Sequence, residues 1–284
     1  DNQLKLIHNA LEKKIKNELL KMQKDKPEDY DKFWASFGRQ IKYGAYVQYG
    51  AHKELLQDLL MYHSSTENKL VSLKDYVSRM KEGQKYIYYA CGETVDKIKM
   101  LPVMETLSDK GYEVLCMDDS IDEFCTKMIA KYDDKEFKSI LDADLGLESE
   151  EEREEIKKQS EDNKELLDAL SKALEGKVKK VELTGRLKNH PCCLRAEGPV
   201  TLEMEKVLNQ QAAVNGGETV RADRVLELNA DHPIFKKLCA LQAEGSDALA
   251  DYADILYTQS LLIEGLPVDD PAGYANKICA LLAR

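Results

Sequence analysis

The chain has 284 residues, enough for about two domains. Charged residues make up 33% of it, and 52 acids against 41 bases leave a formal net charge of −11. That balance disfavours a nucleic-acid binder working through a basic footprint, while a 43% hydrophobic share excludes global disorder. No run approaches the roughly 18 apolar residues of a membrane span, and no secretory signal is visible. The chain opens on Asp1-Asn2-Gln3 without Met, which reads as a cut made inside a longer protein. Seven cysteines (91, 116, 125, 192, 193, 239 and 279) form no CxxC pair, so reduced and mostly buried thiols are expected. The five histidines (8, 52, 63, 190 and 232) lack ligand spacing, and no zinc site is expected.

In chain order, Leu4, Ile7, Leu11, Ile15, Leu19 and Met22 draw one apolar stripe on a helix. Pro27 restarts the chain, and Tyr30, Phe33, Trp34, Phe37 and Ile41 make a second stripe. Leu55, Leu56, Leu59 and Leu60 supply a third, so residues 1–65 read as a helical connector whose helices pack together. After Ser64-Ser65-Thr66, Ser72 to Asp75 resembles a capping box before a short helix carrying Leu73, Tyr76, Val77 and Met80. Tyr86 to Ala90 reads as a strand. A helical piece follows from Thr94, broken at Pro102 and resumed to Ser108. Tyr112 to Met117 is a second strand, Ile121 to Ile129 a helix and Phe137 to Leu141 a third strand. Such alternation implies a small, mainly parallel sheet covered by helices over 66–146, within a fold of the α+β class.

Residues 148–165 carry nine acids against four bases and read as a solvated linker and helix start, with the boundary at 147–159. The rest, 160–284, reads as a mixed α/β domain. It has a helix to about 174, strands at Val178 to Leu183, Cys192 to Ala196 and Val225 to Leu228, and helices to the end. A helix from Thr201 sets Met204, Val207, Leu208 and Ala212 on one side. From Asp247, Leu249, Tyr252, Ala253, Leu256, Ser260 and Ile263 share a face, and Gly265 suits the position that ends such a helix. Asp270-Pro271 starts a last helix striped by Tyr274, Ile278, Leu281 and Leu282. Such a hairpin either caps its own domain or pairs with a second copy as a four-helix bundle; pattern alone leaves both open.

The stretch 86–119, ending in Asp118-Asp119, imitates a dinucleotide-binding half. Its phosphate turn is Ala90-Cys91-Gly92-Glu93-Thr94, however, and one glycine beside an acid suits no phosphate. The acids read better as turn residues and the start of the next helix. There is no P-loop, HExxH or GxSxG, and no residue here demands catalysis.

The run Ser72-Leu73-Lys74-Asp75-Tyr76-Val77-Ser78-Arg79-Met80-Lys81-Glu82-Gly83-Gln84-Lys85-Tyr86-Ile87-Tyr88-Tyr89 resembles the long signature of the 90-kDa heat-shock protein chaperones. Further matches follow in order. They are Ile121 to Phe124, Arg186-Leu187 with Pro191-Cys192-Cys193, Met204-Glu205-Lys206, Leu226 to Pro233, and Asp270-Pro271. Phe33-Trp34 with Phe37-Gly38 is similar to the bacterial type. The resemblance implies the client-binding and dimerising half of an ATP-dependent, cytoplasmic folding chaperone. It implies that ATP and Mg belong to an N-terminal domain outside this stretch, which itself carries no catalytic, cofactor or metal residue. The implied partners are a second copy, partly folded clients and possible co-chaperones, with no nucleic acid or membrane. Implied client contacts are Phe124 and Met128 on the 121–129 helix, and Met204, Val207 and Leu208 on the 201–211 helix. The resemblance also favours pairing through Leu249, Tyr252, Leu256, Ser260, Ile263, Tyr274, Ile278, Leu281 and Leu282. A nucleotide-binding α/β enzyme domain and a passive oligomerisation scaffold are the competing readings.

Overall fold

The computed structural model describes residues 2–283. The chain divides into two compact units, one running to Lys99 and taking in Tyr112–Lys138, the other formed by Met100–Gly111 and the chain from Ser139 onward.

The first unit opens with α1 (Asn2–Asp25), α2 (Pro27–Gly50) and the short α3 (Lys53–Leu56). Next come β1 (Met61–Ser64), β2 (Leu70–Ser72), α4 (Leu73–Ser78), β3 (Tyr86–Cys91) and α5 (Val95–Lys99). Beyond α6 (Pro102–Asp109), which belongs to the other unit, it resumes with β4 (Leu115–Met117) and α7 (Asp122–Ile129), then β5 (Lys131–Tyr132) and β6 (Lys135–Ser139). The sheet order is β2-β1-β4-β3-β6-β5. β3 and β4 run parallel, but β1 is antiparallel to both β2 and β4, and β5 to β6. The sheet is therefore mixed where a mainly parallel one is expected. The difference lies in the β1–β2 hairpin: Met61 and Tyr62 are both buried, so no apolar–polar alternation marks the strand.

The core joins Tyr30 and Trp34 of α2, Tyr76 of α4, Ile87 and Tyr89 of β3, Leu115 and Met117 of β4, and Cys125 and Ile129 of α7. Buried tyrosines need hydroxyl partners. Tyr30 donates to the Leu59 carbonyl at 2.6 Å, and Tyr76 to the Glu113 carbonyl at 2.8 Å. The expected packing of α1 along its whole stripe is not found. Leu19 and Met22 pack on this core, but Leu4, Ile7, Leu11 and Ile15 are exposed.

The second unit adds α8 (Glu150–Asp162), α9 (Lys164–Ala173), β7 (Lys180–Leu183), β8 (Cys192–Glu197), α10 (Leu202–Asn215) and β9 (Asp223–Leu228). It ends with α11 (Pro233–Ala243), α12 (Ala248–Glu264) and α13 (Pro271–Leu282). The acid-rich stretch is largely α8. Ser149 caps it with Glu152 in a capping box, and the acids of its first turn sit at the positive end of the helix dipole. Three strands lie in the order β7-β9-β8, with β9 parallel to β7 and antiparallel to β8. The period of two puts Val181, Leu183, Cys192, Leu194, Leu226 and Leu228 on one face, in a core with residues of α9, α11 and α12.

Candidate functional site

The period-two complement of that apolar face carries charge, with Arg195 and Glu227 buried and Glu182 half-buried. Glu182, Cys193, Arg195 and Glu227 alternate with the core residues, and Cys193 lies opposite Glu227 in the β8–β9 register. Arg195 Nε donates to Glu227 at 3.0 Å and its Nη2 to Glu182 at 2.5 Å. Arg186 reaches the other oxygen of Glu227, and its Nη1 donates to the carbonyls of Ile140 and Asp142 at 2.8 and 2.9 Å. Burial opposes the charge on Arg186, yet Glu227 outweighs it and holds the guanidinium above its ordinary value. Burial, with Glu227 beside it, pushes the Cys193 thiol well up, so this cysteine is no nucleophile. Asn229 then fastens the preceding loop, donating to the Lys188 and His190 carbonyls at 3.0 and 3.1 Å. His232 caps α11, with Pro233 in its first turn. The motif residues Arg186, Cys193 and Leu226 to Pro233 thus hold the unit together.

In the first unit, α7 packs on α2. Lys42 Nζ lies 2.8 Å from Asp122, which is fully buried, and Arg39 lies 3.5 Å from Asp119. The Asp119 amide donates to Asp122 at 3.0 Å. Asp119 therefore serves the turn into α7, as its place in the sequence suggests. The phosphate-like turn before α5 is no cradle: Glu93 pairs with Lys97, and a Cβ on Gly92 would lie 2.8 Å from Ile98. Phe124 is half-buried, with Tyr46 of α2 edge-on at 6.1 Å. Met128 is half-buried over Gly50, whose φ of +74° suits glycine and where an added Cβ would lie 2.8 Å from Met128 Cγ. The partners Tyr46 and Lys42 carried no sequence signal, because only the α2–α7 packing brings them there.

On α10, Val207 is buried while Met204 and Leu208 are half-buried. Glu205 pins the helix, pairing with Arg224 at 2.5 Å and accepting from the Ala222 amide at 2.9 Å. Lys206 donates to the Glu264 carbonyl at 3.0 Å, tying α10 to the end of α12. Burial, opposed by Lys206, pushes the Glu264 carboxyl up to about 7.

In the terminal hairpin, Leu249, Leu256 and Ser260 are buried within their own unit, and Tyr252 packs beside them. Ile263 is exposed. No residue of α13 is buried: Tyr274, Ile278 and Leu281 are half-buried, and Leu282 is 82% exposed. The helix is well built even so. Asp270 accepts from the Gly273 amide at 2.8 Å, Gly265 ends α12 in the left-handed region, and Lys277 pairs with Asp254 at 2.5 Å. Burial opposes the charge on Asp254, but hydrogen bonds from Lys177 and Lys277 win and lower its pKa.

All seven cysteines are free. Among the described residues no group of three or more His, Cys, Asp or Glu is placed to hold a metal ion, and no helix is long and apolar enough to cross a membrane. Half-buried apolar side chains thus remain on α7, α10 and α13, in units that also hold buried ion pairs.

The family model for the Hsp90 protein matches residues 1–284, and the chain belongs to that chaperone family. It is 51% identical to the chaperone protein HtpG of Clostridium acetobutylicum and 46% identical to that of Bacillus subtilis strain 168, each over 99% of this chain. A third, from Clostridium botulinum strain Langeland, is 49% identical. The chain spans under half of these relatives, 44% of the first and 45% of the other two.

Proposed function

We propose that this chain is the client-contacting and pairing half of a cytoplasmic, ATP-driven chaperone. ATP with Mg is bound and hydrolysed in the part of the relatives' length that it does not cover. The observation that carries the pairing is α13, a capped, twelve-residue helix whose apolar stripe its own unit leaves partly open. A second copy covers that stripe through Ile263, Tyr274, Ile278, Leu281 and Leu282, with α12 and α13 of both copies forming a four-helix bundle. Pairing raises the effective concentration of the catalytic parts for each other. Half-buried apolar side chains on α7 (Phe124, Met128) and α10 (Met204, Leu208) hold partly folded clients weakly, methionine adapting to varied sequences.

Leu256 and Leu249 support the hairpin from inside, so a charge there disrupts folding before pairing. The discriminating variant is Ile278→Asp with Leu282→Asp. Light scattering at tens of micromolar should give a dimer for the unaltered chain and a monomer with unchanged helicity for the double variant. An unaltered chain that runs as a monomer would remove the pairing reading. Suppression of a heat-unfolded reporter's aggregation, weakened by Met204→Ser with Leu208→Ser, separates a chaperone half from a passive scaffold.

A further inference from the structure

Where α7 ends, the chain reverses through Ala130, at φ 64° and ψ −40°, into the β5–β6 hairpin. Such a backbone is costly for a residue with a Cβ. The Phe137 amide, donating to the Ala130 carbonyl at 3.0 Å, holds it in place. Beneath the turn lies a cavity of about 260 Å³. Its floor is Tyr89, Thr126 and Phe137, the two rings meeting edge to face at 6.2 Å. Its rim is Lys127, Ala130, Lys131 and Glu136, all exposed.

Size and charge narrow what fits. A cavity of roughly 150 Å³ takes a benzene ring, while pockets for whole small molecules start at about 300 Å³. This one suits a single ring and little more. An aromatic floor meets another ring edge to face or offset. Lys131 lies opposite Glu136 in the hairpin and 3.5 Å from Asp134, so its charge is matched locally. Lys127, one turn from Phe124 and next to Met128 on α7, has no ion-pair partner among the described residues and brings a positive sign to the mouth.

We propose that this pocket takes an aromatic side chain flanked by a carboxylate, presented by a bound polypeptide. The assignment rests on the client role given above to α7, because the pocket continues that helix's exposed side. It narrows the client class to segments in which an aromatic residue neighbours Asp or Glu. Lys127 pairs with the acid and the ring lies on the floor that Tyr89, Thr126 and Phe137 form.

The test is saturation-transfer NMR with acetyl-Asp-Phe-Asp-amide on the whole chain. Acetyl-Asp-Ala-Asp-amide, acetyl-Lys-Phe-Lys-amide and phenylacetate are the comparison probes. Transfer should centre on the phenylalanine ring, fall about fivefold in Lys127→Glu, and vanish in Ala130→Leu, which fills the cavity. Both variants should keep the fluorescence of Trp34. Equal transfer to the alanine or lysine peptide, or full transfer in both variants, overturns the pocket. Binding of phenylacetate without the peptide overturns a polypeptide as its source. Aggregation suppression, measured in parallel, separates the two readings. A chain that suppresses aggregation but shows no ring transfer loses only the pocket. One that shows variant-sensitive transfer but no suppression loses the chaperone reading and keeps the pocket.

Discussion

In the first unit a buried ion pair joins one lysine to one aspartate, Lys42 and Asp122, while in the second two buried arginines flank Glu227. Each pair is withdrawn from water, but they differ in what happens when a partner is lost. Asp122 can take a proton: burial already pushes it up to about 6, against the pull of Lys42. Lys42 has further company in Asp119 at 3.9 Å and in the rings of Trp34 and Tyr62 at 5.9 and 5.2 Å. Arg186 and Arg195 cannot shed their protons, so they rely on Glu227 between them, with Glu182 and Glu197 reaching Arg195 at one edge. A buried pair with an alternative state is a soft joint. One without it is a rigid joint.

The largest effect should therefore come from Glu227→Ala, which leaves Arg186 and Arg195 buried beside an empty site. A loss of about 3–5 kcal/mol is expected from removing one member of such a cluster. It should appear as an earlier urea transition by circular dichroism. Replacing the whole set at once, Arg186→Met with Arg195→Met and Glu227→Leu, should cost far less, because no charge is then stranded. A triple variant as unstable as the single one would break the contrast.

The next effect is the pH dependence that Asp122 gives the first unit. The folded-state pKa of Asp122, about 6, lies above its ordinary 3.8. Between those values the folded chain holds a proton that the unfolded chain has released. Its contribution to stability therefore rises as pH falls from about 6 toward 4, by up to about 3 kcal/mol. Trp34 is the chain's only tryptophan and packs in the same core as α7, so its fluorescence reads this unit alone. The Asp122 contribution is the slope that Asp122→Asn removes, and the urea midpoint of the variant should change less favourably on acidification. Parallel curves for the two proteins would show that Asp122 is not the soft element. Lys42→Met should cost about 1–3 kcal/mol, less than Glu227→Ala, since the stranded carboxyl neutralises itself.

None of this contrast could be read from the chain alone, and the reason is register. Helix ends were legible because their chemistry is local. The Ser72–Asp75 box, the Asp270 cap and the left-handed Gly265 all stand where the sequence puts them. The hairpin β1–β2 was hidden because both faces of Met61–Ser64 are covered. The ionic strip was hidden because Glu227 meets Cys193 and Arg195 only once β8 and β9 are aligned, and Arg186 comes from a loop. Helical stripes showed that α12 has an apolar face, but not which of its residues turn inward. Leu249 and Leu256 belong to the unit's own core, and Ile263 does not. Phe124 was found by its motif, whereas Tyr46 beside it needed the packing of two helices.

A third kind of pair sets the lower end of the scale. Asp254 on α12 accepts from Lys177 and from Lys277 of α13, and both lysines are more than a third exposed. Exposed pairs gain little from Coulomb attraction, so Lys277→Met should change stability by under about 1 kcal/mol. The remaining Lys177 keeps Asp254 ionised, so its depressed pKa still contributes stability near neutrality, lost only as pH falls through that lowered value. Half-molar salt should erase the difference between Lys277→Met and the unaltered chain, because solvent-reached charges are screened. The same salt should leave the cost of Glu227→Ala in place, since its partners are buried. A salt-insensitive loss of several kcal/mol from Lys277→Met would place this pair with Glu227, and would mean that α13 is fixed to α12 by charge rather than by its apolar stripe.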